Sequence, residues 1–291
     1  MTIQKIIHVY QLQYLNGKPT GFGDYLRGTL FLLQICEKYN LEFDIDINAH
    51  PISFFLNKEK LNNYDNIIKR NEISKFENPI YLDLNNNPIN INSNHFISKI
   101  SKMTTSQTVF LYCNEYPYPN MNPKIIEIIK DKIQPNDEMQ TYIDENLKLL
   151  NLVKNNYGVI HIRCGDEYLT TNKKLDITYS KKIIKSFTNH IKKDNTKYLI
   201  LSDCAQIKYL FRSFSNCVFS VKNITHLSLG NITLENVKNT MIDFYLMRHS
   251  NQIFNISSLC HGSSFSQMCG IIYSIPYSKE IITNFKIQMT L

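Results

Sequence analysis

The chain has 291 residues and a mass of 34.1 kDa, which at roughly 150 residues per domain allows two compact domains and excludes a peptide-sized scaffold. Hydrophobic residues make up 43% and aromatics 12%, enough apolar surface to exclude a disordered chain, while nine Gly and nine Pro exclude a collagen-like or linker-dominated one. The 32 basic against 25 acidic residues leave +7, which favours an anionic partner (nucleic acid, a membrane surface or a phosphorylated small molecule) without choosing among them.

The first expected elements are a strand at Ile6 to Tyr10 and a polar loop holding Gly21-Phe22-Gly23. A helix from Asp24 to Tyr39 follows, with Leu26, Leu30, Leu33 and Cys36 at helical spacing, and then a strand at Leu41 to Ile45. This β-loop-α-β opening puts the glycine loop at a strand's carboxyl end. From His50 to Asn151 the pattern is weaker: a helical patch at Ile52 to Leu56, strand candidates at Ile80 to Leu84 and Thr108 to Cys113, and helices at Pro123 to Ile133 and Asp137 to Leu150. Pro117, Pro119, Pro123 and Pro135 punctuate that stretch, and the domain join is expected near residue 151, giving lobes 1–150 and 151–291. The second lobe opens on a strand at Tyr157 to Arg163, followed by a loop at Cys164 to Lys174 and a helix from about Thr178 to Lys192. A strand at Lys197 to Leu201, a helix to Phe211 and a strand at Asn216 to Val221 come next. A helix at Leu234 to Ser250, a strand at Gln252 to Ile256 and a helix at Ser264 to Tyr273 complete it. Apolar strands alternating with helices indicate parallel sheets covered on both faces, hence an α/β protein of two Rossmann-type lobes whose ligands bind at strand carboxyl ends.

Four constellations fall at such ends. In His161-Ile162-Arg163-Cys164-Gly165-Asp166, strand alternation puts His161 and Arg163 on one face. Arg163 offers a planar fork for a phosphate or carboxylate, His161 can hydrogen-bond a base or sugar, and Gly165 permits a tight turn. The competing reading is a salt bridge from Arg163 to a carboxylate of the chain, with His161 satisfied in the core. A metal held by His161 and Cys164 lacks a third or fourth ligand at suitable spacing. In Asn255 to Gln267 a strand enters a Gly/Ser turn that opens a helix, whose amino terminus offers N–H donors to an anion; Ser263 or Ser264 serves equally as a simple N-cap. Neither a dinucleotide fingerprint nor a Walker loop occurs. Asp243 sits in the apolar run Met241 to Met247 and needs a hydrogen-bonding partner if buried: a guanine edge, the helix dipole, or Arg248. In Gly21-Phe22-Gly23-Asp24-Tyr25-Leu26-Arg27-Gly28 the glycines let backbone approach a ligand, and Asp24 is either a helix cap or a general base.

Seven cysteines with no CxxC pair argue for reduced thiols, and an amino terminus without a sustained apolar stretch or cleavage site leads to the expectation of a cytoplasmic protein. No apolar run approaches the roughly 20 residues of a membrane span. The doublets Lys173-Lys174, Lys181-Lys182 and Lys192-Lys193 spread around one expected helix and read as a solvated face, so no nucleic-acid partner is expected. Three N-x-S/T triplets, at Asn223, Asn231 and Asn255, carry little weight in an Asn-rich chain.

In combination these segments resemble a known superfamily. HIRCGD is similar to the HxRxGD/HxRR motif of the α1,2-, α1,6- and protein O-fucosyltransferases, GFGDYLRG to their amino-terminal glycine loop, and LSD at Leu201 to Asp203 to their SD element. The block from Thr240 to Ile272 most resembles the α1,6 branch. The resemblance implies a GT-B-like fold with a nucleotide-sugar cleft between lobes, and inverting, metal-independent transfer of fucose from GDP-fucose to a hydroxyl of a glycan or glycoconjugate. It implies that Arg163 binds the β-phosphate, that His161 and Asp243 contact guanine, and that Ser264, Ser266 and Gln267 hold the diphosphate, with Gly21 and Gly23 lining the donor site. Asp24, Asp166 and Glu167 are the candidate bases, Asp166 alternatively bracing the turn. Cys164 stands where many members carry a second Arg, so a phosphate contact is expected to be missing, and the branch, linkage and donor stay open. A transferase using another nucleotide-sugar, or a catalytically silent nucleotide- or glycan-binding module, are the alternatives.

Overall fold

The structure is a computed structural model and describes residues 5–14, 20–67, 80–82, 88–90, 108–170, 175–191, 196–228 and 232–282. The chain folds as two compact units, Met1–Gln140 with Leu227–Lys238, and Thr141–His226 with Asn239–Leu291.

In the first unit β1 (Lys5–Val9) is followed by helix α1 (Phe22–Tyr39), β2 (Glu42–Asp46) and a 3-10 turn at Pro51–Phe55 in place of the expected helical patch. Strands β3 (Ile80–Leu82), β4 (Pro88–Asn90) and β5 (Thr108–Leu111) complete a five-stranded sheet of order β2-β1-β5-β3-β4. β1 pairs parallel with β2 and β5, and β3 runs antiparallel to β4 and β5. α1 starts two residues before the expected Asp24, and Asn40 in the left-handed region ends it by donating its amide to the last carbonyls. Leu32, Ile35 and Cys36 pack against Ile6 and Leu111. Gly28 lets the helix pass the end of β5, where a Cβ would stand 1.9 Å from the Cys113 carbonyl oxygen. Helices α2 (Pro123–Lys132) and α3 (Asp137–Leu149) then lead into the second unit.

That unit's strands are β6 (Tyr157–Arg163), β7 (Lys197–Ser202), β8 (Cys217–Val218), β9 (Gln252–Ser257) and β10 (Tyr277–Ile281), all parallel, in the order β10-β9-β6-β7-β8. The helices are α4 (Ile177–His190), α5 (Ala205–Leu210), α6 (Leu234–Arg248, of which the residues up to Lys238 belong to the first unit) and α7 (Ser264–Tyr273), with a single helical turn at Glu167–Thr170 inside the expected loop. The strand expected at Asn216 to Val221 shrinks to two residues, because the carbonyl of Ser220 turns to Lys208 instead of a neighbouring strand. β10 is an unforeseen edge strand whose Ser278, Lys279 and Glu280 lack an apolar pattern. Ile160, Ile162 and Cys164 pack with Tyr179, Ile183 and Phe187 of α4. His161 and Arg163 therefore emerge on the other face of the sheet. The doublets Lys173-Lys174 and Lys192-Lys193 lie outside the described residues; Lys181 and Lys182 are exposed on α4, as a solvated face requires.

Candidate functional site

Arg163 leaves the carboxyl end of β6 and is held by two carboxylates. Its guanidinium donates to Asp203 Oδ2 at 2.6 Å and to Asp166 Oδ1. Asp203, immediately after β7, also accepts the amides of Cys164 and Gly165, both at 2.8 Å. Gly165 has φ +128°, which an L side chain rarely adopts, and so lets the chain turn both amides onto one carboxylate. Burial lowers the guanidinium pKa, and the charges of Asp203 and Asp166 more than reverse this, so it stays cationic. Burial raises Asp166 in turn, but His226 and Arg163 outweigh it and hold the carboxyl below its ordinary range. The salt bridge weighed as the competing reading of Arg163 is thus present, and it fixes the guanidinium at the strand end. Cys164 is buried in the apolar cluster on the opposite face, so its side chain is not on Arg163's side of the sheet at all.

His161 reaches into α7. Its Nδ1 lies 2.9 Å from Ser266 Oγ, and its ring tilts against Phe265 at 6.0 Å. Burial, with Arg163 and Lys208 nearby, pushes its pKa down to about 3, so the imidazole is neutral at physiological pH. Nε2 has no hydrogen-bond partner among the described residues. Phe244 of α6 packs on Phe265 at 5.3 Å, which brings α6 to the same place. One residue before Phe244, Asp243 is 7% exposed and makes no hydrogen bond among the described residues. Burial raises its pKa to about 6 against the pull of Lys208 and Lys222. Arg248, the partner considered for it, instead lies over the rings of Tyr245 and Tyr273.

α7 follows Ser263, an N-cap whose side chain makes no capping hydrogen bond, and the amides of a helix's first turn have no partner within the helix. Ser264 and Ser266 are buried in its first turn and Gln267 is half-buried. Asn255 sets this terminus. Fully buried on β9, it donates to the His161 carbonyl at 2.9 Å and accepts the Ser263 amide at 3.1 Å. Gly262, φ +80°, completes the turn, and a Cβ there would meet Asn255 Oδ1 at 3.1 Å. Sequence reasoning missed Asn255, although a polar residue inside an apolar strand was the available signal. It left Asp203 out of the site although the LSD segment was noticed, and Lys208 had no signal of its own.

The glycine loop lies in the first unit. Gly21 is the N-cap of α1, and its carbonyl accepts the amides of Asp24 and Tyr25. Gly23 is buried in the first turn. Asp24 does not cap the helix; it is 31% exposed and pairs with Arg27 at 3.2 Å, because the helix starts two residues earlier and puts this carboxylate one turn below that cation. The second unit therefore brings His161, Arg163, Asp166, Asp243, Ser264, Ser266 and Gln267 to the carboxyl ends of β6 and β9, while Gly21, Gly23 and Asp24 share the start of α1.

No protein-family model matches the sequence, and no curated protein matches it. Solved structures do, and they establish the fold class as that of the GT-B fucosyltransferases, with an α/β sheet of Rossmann type in each unit. NodZ α1,6-fucosyltransferase soaked with GDP-fucose is similar at TM-score 0.54 and 14% identity over 93% of each chain. NodZ from Bradyrhizobium matches at 0.51 and 12%, over 94% of this chain and 93% of that one. An Arabidopsis thaliana FUT1 mutant in complex with GDP matches at 0.56 and 10%, over 97% of this chain and 71% of the other. Among the described residues no helix is long and apolar enough to cross a membrane.

Proposed function

We propose that the protein is an inverting glycosyltransferase that moves fucose from GDP-fucose to a hydroxyl of a glycan or glycoconjugate. The observation that carries this is the convergence of a fixed cation, Arg163, with a helix amino terminus that no side chain caps and a buried carboxylate, Asp243, without a hydrogen bond among the described residues, at neighbouring strand ends. The arrangement matches the demands of a nucleoside diphosphate leaving group. As the bond from sugar C1 to the β-phosphate oxygen breaks, negative charge grows on that oxygen, and a fixed guanidinium with oriented N–H donors stabilises the change. Arg163 takes the β-phosphate, while Ser264, Ser266 and Gln267 with the α7 terminus take the remaining oxygens. Asp243 accepts from the guanine N1–H and exocyclic amine, and neutral His161 presents Nε2 to the nucleoside. The acceptor oxygen attacks C1 from the opposite face and gives its proton to a carboxylate. Asp24 and Asp166 are the candidates for that role, and the basicity of Asp166 is reduced by His226 and Arg163.

Calorimetry with GDP, UDP and dTDP tests the base: GDP should bind preferentially, and equal affinities would rule guanine out. Donor turnover in Asp24→Asn should fall by about 10²- to 10⁴-fold with GDP affinity intact. An unchanged rate would remove Asp24 as the base.

A further inference from the structure

Lys208 and Asp243 are opposite charges, 3% and 7% exposed, that form no ion pair among the described residues. Buried charges ordinarily pair, because an isolated one loses its hydration with nothing in return. Among the described residues the Lys208 ammonium has one hydrogen bond, to the Ser220 carbonyl at 3.0 Å, and its other donors have no partner. The segment carrying Ser220 is pinned to α6: Asn239 Nδ2 donates to the Asn223 carbonyl at 2.9 Å, and Thr240 Oγ1 exchanges hydrogen bonds with the backbone of Thr225 at 3.0 Å. Asp243 follows Thr240 by three residues and Asn239 by four, so it lies on the α6 face that receives this segment. The ammonium and the carboxylate thus address the same region from α5 and α6, and Lys208 is close enough to draw down the pKa values of both Asp243 and His161.

We propose that Lys208 is a specificity-determining residue of the nucleotide site, donating to the O6 acceptor of guanine while Asp243 accepts from the N1–H and amine donors beside it. This rests on the nucleotide-diphosphate reading above. The guanine edge runs amine donor, N1–H donor, O6 acceptor, which complements a carboxylate next to an ammonium. Adenine presents an amine donor where guanine has O6, and directs it at the cation. Its N1 is an acceptor and directs a lone pair at the carboxylate. A point charge with rotatable donors suits a single carbonyl oxygen better than a planar fork.

The alternative is that Lys208 only staples the Ser220 segment, and base selectivity separates the two. In calorimetry the wild type should bind GDP about tenfold or more tighter than 6-thioguanosine diphosphate, whose sulfur is a poor acceptor. Lys208→Met should bind GDP about ten- to a hundredfold more weakly and bring that ratio close to one, while the preference for GDP over inosine diphosphate, which reads Asp243, persists. Asn239→Ala, which loosens the same segment without touching the ammonium, should lower the Tm and leave the ratio intact, so a staple would change the ratio in both variants or in neither. GDP binding with the ratio unchanged in folded Lys208→Met overturns the assignment of Lys208 alone. Failure of the wild type to bind GDP overturns the nucleotide reading itself and this inference with it.

Discussion

An interior strand of each unit's sheet carries a buried histidine, and the two side chains have opposite fates. His8 on β1 is 0% exposed and uses both nitrogens: Nδ1 lies 2.9 Å from Thr29 Oγ1, and Nε2 lies 3.0 Å from the backbone of Cys113, with the ring stacked on Tyr25 at 4.3 Å. His161 on β6 uses one nitrogen, on Ser266, and leaves Nε2 without a partner among the described residues. Burial pushes both imidazoles down to about 3. Burial and a perturbed pKa therefore do not tell a structural histidine from a ligand-facing one; the unspent hydrogen-bonding atom does. The same contrast holds for Asp203, whose two oxygens are taken by two amides and an arginine, and Asp243, whose oxygens have no hydrogen-bond partner among the described residues.

The largest effect should come from removing the charge that the second unit holds ready. Arg163→Ala should cost about 10²-fold or more in donor turnover while circular dichroism stays native. Retention of full turnover would end the leaving-group role. The histidine comparison predicts opposite phenotypes for two like substitutions. His8→Ala leaves the Cys113 backbone without its ring partner in a closed core and takes one of two partners from Thr29, whose hydroxyl keeps the Tyr25 carbonyl, and should cost about 2–4 kcal/mol of stability without touching GDP affinity directly. His161→Ala should cost less stability and weaken GDP about tenfold. Equal losses of stability with no change in binding would erase the distinction. Each histidine, with its pKa depressed from 6.5 by burial, contributes stability that is present above 6.5 and is lost as the pH falls towards the folded value.

Asp243 runs the other way. Its folded pKa is raised, so its contribution to stability is fully present below its ordinary 3.8 and is lost as the pH rises through about 6. Asp243→Asn should consequently be more stable at pH 7, by on the order of 1–3 kcal/mol. It should bind GDP more weakly and lose the fall in affinity that the wild type shows below about pH 6. A destabilised variant with an unaltered pH profile would contradict both halves.

Much of this contrast is legible from the chain itself, for identifiable reasons. Tyr157–Arg163 and Ser264–Tyr273 read to the residue because apolar alternation and a Gly/Ser turn mark their ends locally. Alternation also places His161 and Arg163 together, away from Ile160 and Ile162. Two weaker features resist reading: β10, an edge strand with charged residues, and the short β8, whose length is set by the long-range tie between Lys208 and Ser220. The partners that shape the candidate site, Asp203 for Arg163 and Asn255 for α7, lie 40 residues from Arg163 and eight from Ser263. Only the folded sheet brings the first pair into register, since Ile162 stands beside Ser202.

The smallest expected effect concerns Asp166, the second carboxylate on Arg163. It is 49% exposed where Asp203 is 4% exposed, and an ion pair open to water contributes little because solvent screens it. Asp166 also competes with an incoming phosphate for the guanidinium, whereas Asp203 does so only at the expense of the Cys164 and Gly165 amides it organises. Asp166→Asn should therefore leave stability within about 0.5 kcal/mol, raise GDP affinity by no more than about fivefold, and change turnover by a similar factor. Asp203→Asn should lower both stability and GDP affinity, because one buried carboxylate orders the turn and aims the arginine. A turnover loss in Asp166→Asn of about 10²-fold or more with GDP affinity preserved would instead identify Asp166 as the base, and Asp24 would then be the carboxylate that only pairs with its helix neighbour.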